Sequence, residues 1–191
     1  EFDSYHLEAD LAEPFITDIL QDDSIDNEIR TLDEGLKTRE KFGEPIGELL
    51  LKKANLYYQK RDLDNSIRTL ETALHYFRNM DDHPNIAVCH NEIGLMKEEL
   101  GFFDEAIYHF DMAIEFFQEL GDFEKTIKVY NNIAFAYYLI NDLEKSYEYY
   151  SNALRLSEEE SAKYQIIKTS SNLVDVLFLL KDYERILKIL S

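Results

Sequence analysis

A single cysteine, Cys89, among 191 residues leaves no intramolecular disulfide to form. No apolar run approaches the roughly eighteen residues that a bilayer-crossing helix requires, so no membrane role is expected. Six glycines lie too far apart to build a phosphate-cradling loop, and neither G-x-S-x-G nor H-E-x-x-H occurs. Basic side chains are also scarce: 20 Lys and Arg stand against 39 Asp and Glu, a formal net charge of −19. Nucleic-acid binding is driven by lysine and arginine displacing counterions, so nucleic acid and acidic membranes are both disfavoured as partners. Residues 1–50 are the most acidic stretch, with four basic side chains against fifteen carboxylates and a net charge of −11. That surface is either a solvated face or a field that steers a basic partner.

What is present is repetition. The stretch HNEIGLMKEELGFFDEAIYHFDMA, His90 to Ala113, aligns without a gap on Leu50 to Ala73, on Tyr130 to Ala153 and on Ser170 to Leu190. Its register runs through Arg61, Gly101, Asn141 and Lys181, a step of 40 residues each time. Self-similarity at a fixed period marks a stacked helical array. Small residues recur where two helices have to touch: Gly94, Ala106 and Ala113, matched by Ala54, Ser66 and Ala73 and by Ala134, Ser146 and Ala153. Large apolar residues alternate with them, as Ile93, Phe103, Phe110 and Ile114 do, matched by Ile133, Leu143, Tyr150 and Leu154. The unit is a helical hairpin closing on itself, and an apolar content of 45% is enough to bury a core.

The pattern His90-x2-Ile93-Gly94-x2-Lys97 followed by Ala106-x3-Phe110 resembles the tetratricopeptide repeat, as does Tyr130-x2-Ile133-Ala134-x2-Tyr137 followed by Ser146-x3-Tyr150. The opening aromatic survives only as Tyr130, and the proline that usually follows the second helix is represented only by Pro84. The usual period is about 34 residues, so six more add roughly 9 Å of helix per hairpin. Long-helix versions of this kind resemble the repeats of kinesin light chains, of spindle-orientation adaptors and of peptide-sensing regulators in Gram-positive bacteria. The resemblance implies an all-α, right-handed superhelical solenoid of antiparallel helix pairs.

Taken in order, residues 1–43 are expected to form divergent helices or a capping repeat. Ser4 to Leu11 reads as a short helix, Pro14 starts a second, and Asp22-Asp23-Ser24 caps a third that carries Ile25, Ile29, Leu32 and Leu36. Gly43-Glu44-Pro45 breaks the chain, and residues 44–191 hold four repeats, 44–80, 84–120, 123–160 and 161–191. Their helices are expected near 46–60 and 63–79, 85–100 and 103–119, 123–140 and 143–157, and 161–180 and 183–191. Gly101 and Asn141 suit the left-handed residue that ends a helix, whereas Arg61 and Lys181 suit it less, so those turns are expected to differ. Asp81 to Pro84 and Glu158 to Ser161 read as longer polar breaks between pairs. The chain starts at Glu1 without an initiator methionine, and Ser191 falls within a second helix, so it is expected to be a piece of a longer protein.

No converging catalytic set is evident, and no enzymatic activity and no cofactor are expected. Cys89 and His90 with His83 superficially suggest a metal site or a Cys/His nucleophile. However, His90 occupies the opening aromatic position, wedged between the helices of its own pair, and Cys89 points elsewhere. The abundant tyrosine and phenylalanine are core by default, as at Phe103, Phe110, Tyr137 and Tyr150. Tyr58, Phe135, Tyr138 and Phe178 are different: the resemblance places them on first helices, facing either a concave groove or the neighbouring repeat.

The resemblance further implies that first helices line a groove that accepts extended peptides or helices. Asn91, Asn131 and Ser171 form one row there, and Glu92, Asn132 and Asn172 the next. Lys52 and Asn55 stand at the first repeat, and Lys128 and Asp175 lie alongside. Asparagine carries a donor and an acceptor and can hold a peptide backbone of any sequence, although the same rows are also what a wet surface offers. Two functions stay open: a non-catalytic scaffold that binds a protein or peptide of basic character, and a ligand- or peptide-sensing domain of a larger signalling protein or transcriptional regulator. A homodimer through Tyr183, Ile186, Leu187 and Leu190 of the last helix is a further expectation, and cytoplasmic localisation fits all of these.

Overall fold

The computed structural model describes the backbone of residues 5–190 and the side chains of residues 23–189. Among the described residues every regular element is helical: α1 (Tyr5–Phe42), α2 (Gly47–Gln59), α3 (Leu63–Asn79), α4 (His83–Glu99), α5 (Phe103–Glu119), α6 (Phe123–Leu139), α7 (Leu143–Glu159), α8 (Lys163–Leu179) and α9 (Tyr183–Leu190). The chain divides into two compact units, Glu1–Ala73 and Leu74–Ser191.

One device ends helix after helix. Arg61, Asp81, Asn141, Ser161 and Lys181 all have φ between 54° and 62°, and Gly101 and Gly121 have φ of 81° and 66°. A left-handed residue therefore recurs every 20 residues, in the turns within pairs and in the turns between them. The next residue's N–H closes the turn onto a carbonyl five residues back, as in Phe102 N to Lys97 O at 2.8 Å and Asp182 N to Leu177 O at 2.9 Å. This is the Schellman arrangement. The turns expected to differ at Arg61 and Lys181 do not, and the breaks at residues 81–84 and 158–161 are no longer than the rest. The cost of a non-glycine left-handed residue, about 1 to 2 kcal/mol, is offset by the satisfied carbonyls. Asp62, Asp82, Asp122, Asp142 and Asp182 then cap the following helix, each accepting from the backbone N–H three residues on, at 3.1 to 3.2 Å.

In the first unit α1 is one uninterrupted helix. Pro14 lies inside it and Asp22-Asp23-Ser24 continue it, so the expected caps there are not formed; Ser4 falls outside the described residues. Asp and Ser cap a helix only where the backbone turns away, and the apolar stripe Ile25, Ile29 and Leu32 gives it reason to continue by packing on α2 beside Leu49, Leu56 and Tyr57. Gly43, at φ 67°, ends α1. Lys60 Nζ and Asp26 Oδ1, 2.6 Å apart, add an ion pair between α1 and α2. Ser66 Oγ donates to Ala54 O at 2.7 Å, which shows how closely small residues let α2 and α3 approach.

In the second unit the core is layered by helix pairs. Ala106, Phe110, Ala113 and Phe117 of α5 meet Ala87 of α4 and Val129, Ile133 and Ala136 of α6. One repeat later Ala134, Tyr150, Leu173, Val176 and Leu177 form the equivalent cluster. First helices also touch one another, α4 against α6 and α6 against α8. That row of three helices carries most of the expected groove residues.

Candidate functional site

Cys89, His90 and His83 are all engaged in packing or local pairing. Cys89 is fully buried, and its thiol is pushed up to about 12 by that burial first and by Glu92 and Asp82 next. His90 is also buried, and its Nδ1 lies 3.0 Å from Nδ1 of His109. His83 stacks edge-on against Phe116 and pairs with Asp81 instead. Among the described residues no group of three or more His, Cys, Asp or Glu side chains could hold a metal ion.

In the first unit, Lys52 and Asn55 open onto a cavity of about 580 Å³ that α1 closes on one side with Ile25 and Glu28. Lys52 Nζ lies 3.9 Å from Glu28 Oε2, and Asn55 Oδ1 accepts from Gln59 Nε2 at 2.6 Å. Tyr58 is exposed.

In the second unit the rows separate. Asn91, Glu92 and Lys128 come together at the seam of α4 and α6, around a cavity of about 290 Å³ floored by Val88, Phe117 and Val129. Asn132 Nδ2 donates to Asn91 Oδ1 at 3.5 Å, and Asn91 Nδ2 donates in turn to Glu92 Oε1 at 3.1 Å. Burial holds the Glu92 carboxyl above its ordinary value, against the lowering effect of the Asn91 hydrogen bond. Lys128 pairs with Glu124 at 2.6 Å, while Lys125 pairs with Asp122 and sits 5.3 Å over the Phe117 ring. The cavity thus offers amide, carboxylate and ammonium groups over an apolar floor.

Asn131 does not join that row. It is only 7% exposed; its Nδ2 donates to Ile127 O at 2.8 Å and its Oδ1 accepts from Thr169 Oγ1 at 3.0 Å. Both ends of the amide are used, Nδ2 within α6 and Oδ1 to tie α6 to α8, because α8 presents a hydroxyl at Thr169 where the matching position of α6 is Val129. Replacing Asn131 by alanine is therefore expected to lower stability by about 1 to 3 kcal/mol, as loss of a buried polar pair does. A urea melt of Asn131→Ala that overlays the wild type would show that these bonds contribute nothing.

Further along the row, Phe135 is 42% exposed and stacks on Tyr138, with centroids 6.2 Å apart and an interplanar angle of 12°. Ser171 and Asp175 are exposed on α8, and Asn172 is half-buried, its amide lowering the Tyr150 phenol against the effect of burial. One residue was missed by sequence reasoning: Glu98, at the position of α4 that Tyr138 fills on α6. Its Oε2 is buried with no hydrogen-bond partner, and burial lifts its carboxyl to about 7. The signal for it in the sequence is the 40-residue register, where an acid stands in a row otherwise filled by Tyr58, Tyr138 and Phe178.

Models of the tetratricopeptide repeat match residues 46–119 and 127–160. The chain belongs to the tetratricopeptide repeat family. Its all-α stacking of helix pairs is that of tetratricopeptide solenoids of known structure. The putative kinesin light chain repeats of Podosopora anserina superpose with a TM-score of 0.71 at 12% identity, over 89% of this chain and 85% of that one. BtubC from P. vanneervenii gives 0.67 at 21% identity, over 75% of this chain and 60% of that one. A Rap protein complexed with Competence and Sporulation Factor gives 0.64 at 19% identity, over 89% of this chain and 49% of that one. The tetratricopeptide repeat chain thus spans less than two thirds of BtubC and about half of the Rap protein. A comparison with curated protein sequences returns no match.

Proposed function

We propose that this protein is a non-catalytic binding scaffold whose α4, α6 and α8 face holds a peptide segment of a partner protein. The observation that carries this reading is the α4/α6 seam: a cavity of about 290 Å³ with Asn91, Glu92, Lys125 and Lys128 at its walls, fed by the Asn132 to Asn91 to Glu92 relay. A peptide amide inserted into that relay finds a donor and an acceptor whatever its side chain, and the exposed Phe135–Tyr138 stack offers apolar contact nearby. Lys52, Asn55 and Tyr58 belong to the same reading as a second contact point on the first unit, and Ser171 and Asp175 extend the face along α8. The net charge of −19 favours partners of basic character, with on-rates that fall as salt rises.

A sensing role within a larger regulator is the second reading, supported by the likeness to a Rap protein complexed with Competence and Sporulation Factor. Under either reading residues 1–43 act as a cap on four repeats and the setting is cytoplasmic. Self-association through Tyr183 and Leu187, both exposed on α9, is a subsidiary proposal; Ile186, expected on that face, packs into the core, and the Leu190 side chain lies outside the described residues.

Once a peptide ligand is selected by display, calorimetry on Asn91→Ala with Asn132→Ala is expected to show a loss of roughly 0.5 to 1.5 kcal/mol per removed bond. Folding stability should stay near that of the wild type, since neither side chain is fully buried. Unchanged affinity in the double variant would remove this face as the binding surface.

A further inference from the structure

This inference rests on the peptide-binding reading above and names the chemistry of one of its subsites. The 40-residue register sets Glu98 of α4 level with Tyr138 of α6 and Phe178 of α8, so a row that is otherwise aromatic carries one carboxylate. These helices are packed side by side. Glu98 is half-buried, and its Oε2 is shut away without a donor. Its neighbour Lys97 does not supply one, because that ammonium is engaged by Glu105 at 2.7 Å and lies over the Phe102 ring. A buried carboxylate oxygen left without a donor is costly, and a ligand cation placed beside the half-buried side chain offsets part of that cost by charge attraction.

The surroundings suit such a cation. The Tyr150 phenol is raised first by its own burial and next by the Glu98 charge, with Asp175 and Tyr138 adding and the Asn172 hydrogen bond opposing. Tyr138 packs on the core cluster that holds Tyr150, and the 40-residue register sets Asp175 of α8 level with Phe135 of α6 as it sets Glu98 of α4 level with Tyr138. Two carboxylates thus share these rows with the Tyr138 ring, which stacks on exposed Phe135. Carboxylate and aromatic face together are what a guanidinium or ammonium group recognises.

We propose that this position receives an arginine or lysine side chain of the bound peptide, with Glu98 as its counter-ion, Asp175 as a second acidic contact and the Tyr138 ring beside it.

N-acetyl-arginine N-methylamide, titrated into the isotope-labelled protein at pH 8 and followed by NMR, tests this. The expected result is saturable shifts at Tyr138, Asn172 and Asp175, none with the neutral citrulline counterpart, and an affinity lowered about tenfold in Glu98→Gln. Equal shifts from citrulline, no saturable binding, or an affinity unchanged in Glu98→Gln would overturn the proposal, and the citrulline comparison stands even if the variant folds poorly. A display-selected peptide weakened by Asn91→Ala with Asn132→Ala but indifferent to Glu98→Gln would remove this subsite and leave the groove reading intact.

Discussion

Phe110→Ala is expected to cost about 3 to 5 kcal/mol, the range for deleting a fully buried phenylalanine, because this ring has no exposed surface at all. Its seat is made by a glycine. A Cβ built on Gly94 would lie 2.6 Å from Phe110 Cε1 and 2.7 Å from its Cδ1, closer than carbon atoms approach. Gly94→Ala alone should therefore destabilise by about 1 to 3 kcal/mol through overpacking, even though alanine is the better helix former by about 1 kcal/mol. The two positions should couple. In the Phe110→Ala background every clashing ring atom is gone, and Gly94→Ala should become neutral or stabilising. Urea denaturation of the two single variants and the double variant gives the cycle. Additive losses would mean that α4 and α5 shift apart rather than hold the ring against the glycine.

That glycine and phenylalanine were legible in the sequence because the contact is repeated. Gly94 with Phe110 recurs as Ala134 with Tyr150, and a small residue opposite a large one at a period of 40 is what one helix seating a ring against its partner requires in every repeat. The turns were less legible, since judging Arg61 and Lys181 by residue preference missed that the hydrogen-bonded closure of the helix end imposes the left-handed φ on whichever residue stands there. The first helix departs from expectation for a related reason: Asp22, Asp23 and Ser24 read as a cap only if the chain breaks beside them, and it does not. In the candidate site, periodicity put Asn91 and Asn131 on one face but could not show where the amide turns. Thr169, a single hydroxyl on the next first helix, draws Asn131 inward. Such a pairing depends on two positions 38 residues apart, outside the 40-residue register that made the rest readable.

The acid stability of the second unit is expected to depend on His90. Arg78 can only donate, so at 3.2 Å from its Nη2 the His90 Nε2 accepts; the ring proton then sits on Nδ1 and is shared with Nδ1 of His109. Both rings are neutral in this arrangement. Burial first, and then His109 and Arg78, lower His90 from its ordinary value of 6.5 to about 4. His109 is lowered too, by burial and then Lys97, with Glu105 opposing. Between those pH values the unfolded chain binds the proton and the folded one does not, so this stability is present above 6.5 and is lost as pH falls toward 4. For His90 the loss between about pH 7.5 and 5 is about 2 kcal/mol. Glu98 works in the opposite sense: its carboxyl is raised from 4.5 to about 7, so the folded state holds the extra proton and gains on acidification in the same window. The two contributions mask each other in the wild type. They separate in variants, with Glu98→Gln expected to lose stability steadily from pH 7.5 to 5. His90→Phe, which places an aromatic where the next repeat has Tyr130, should show the acid loss reduced by about 2 kcal/mol relative to the wild type. Repulsion among the excess carboxylates is common to all three proteins and cancels in the comparison. Parallel pH profiles for His90→Phe and the wild type in chemical denaturation would mean that the Arg78, His90 and His109 cluster takes up its proton without cost.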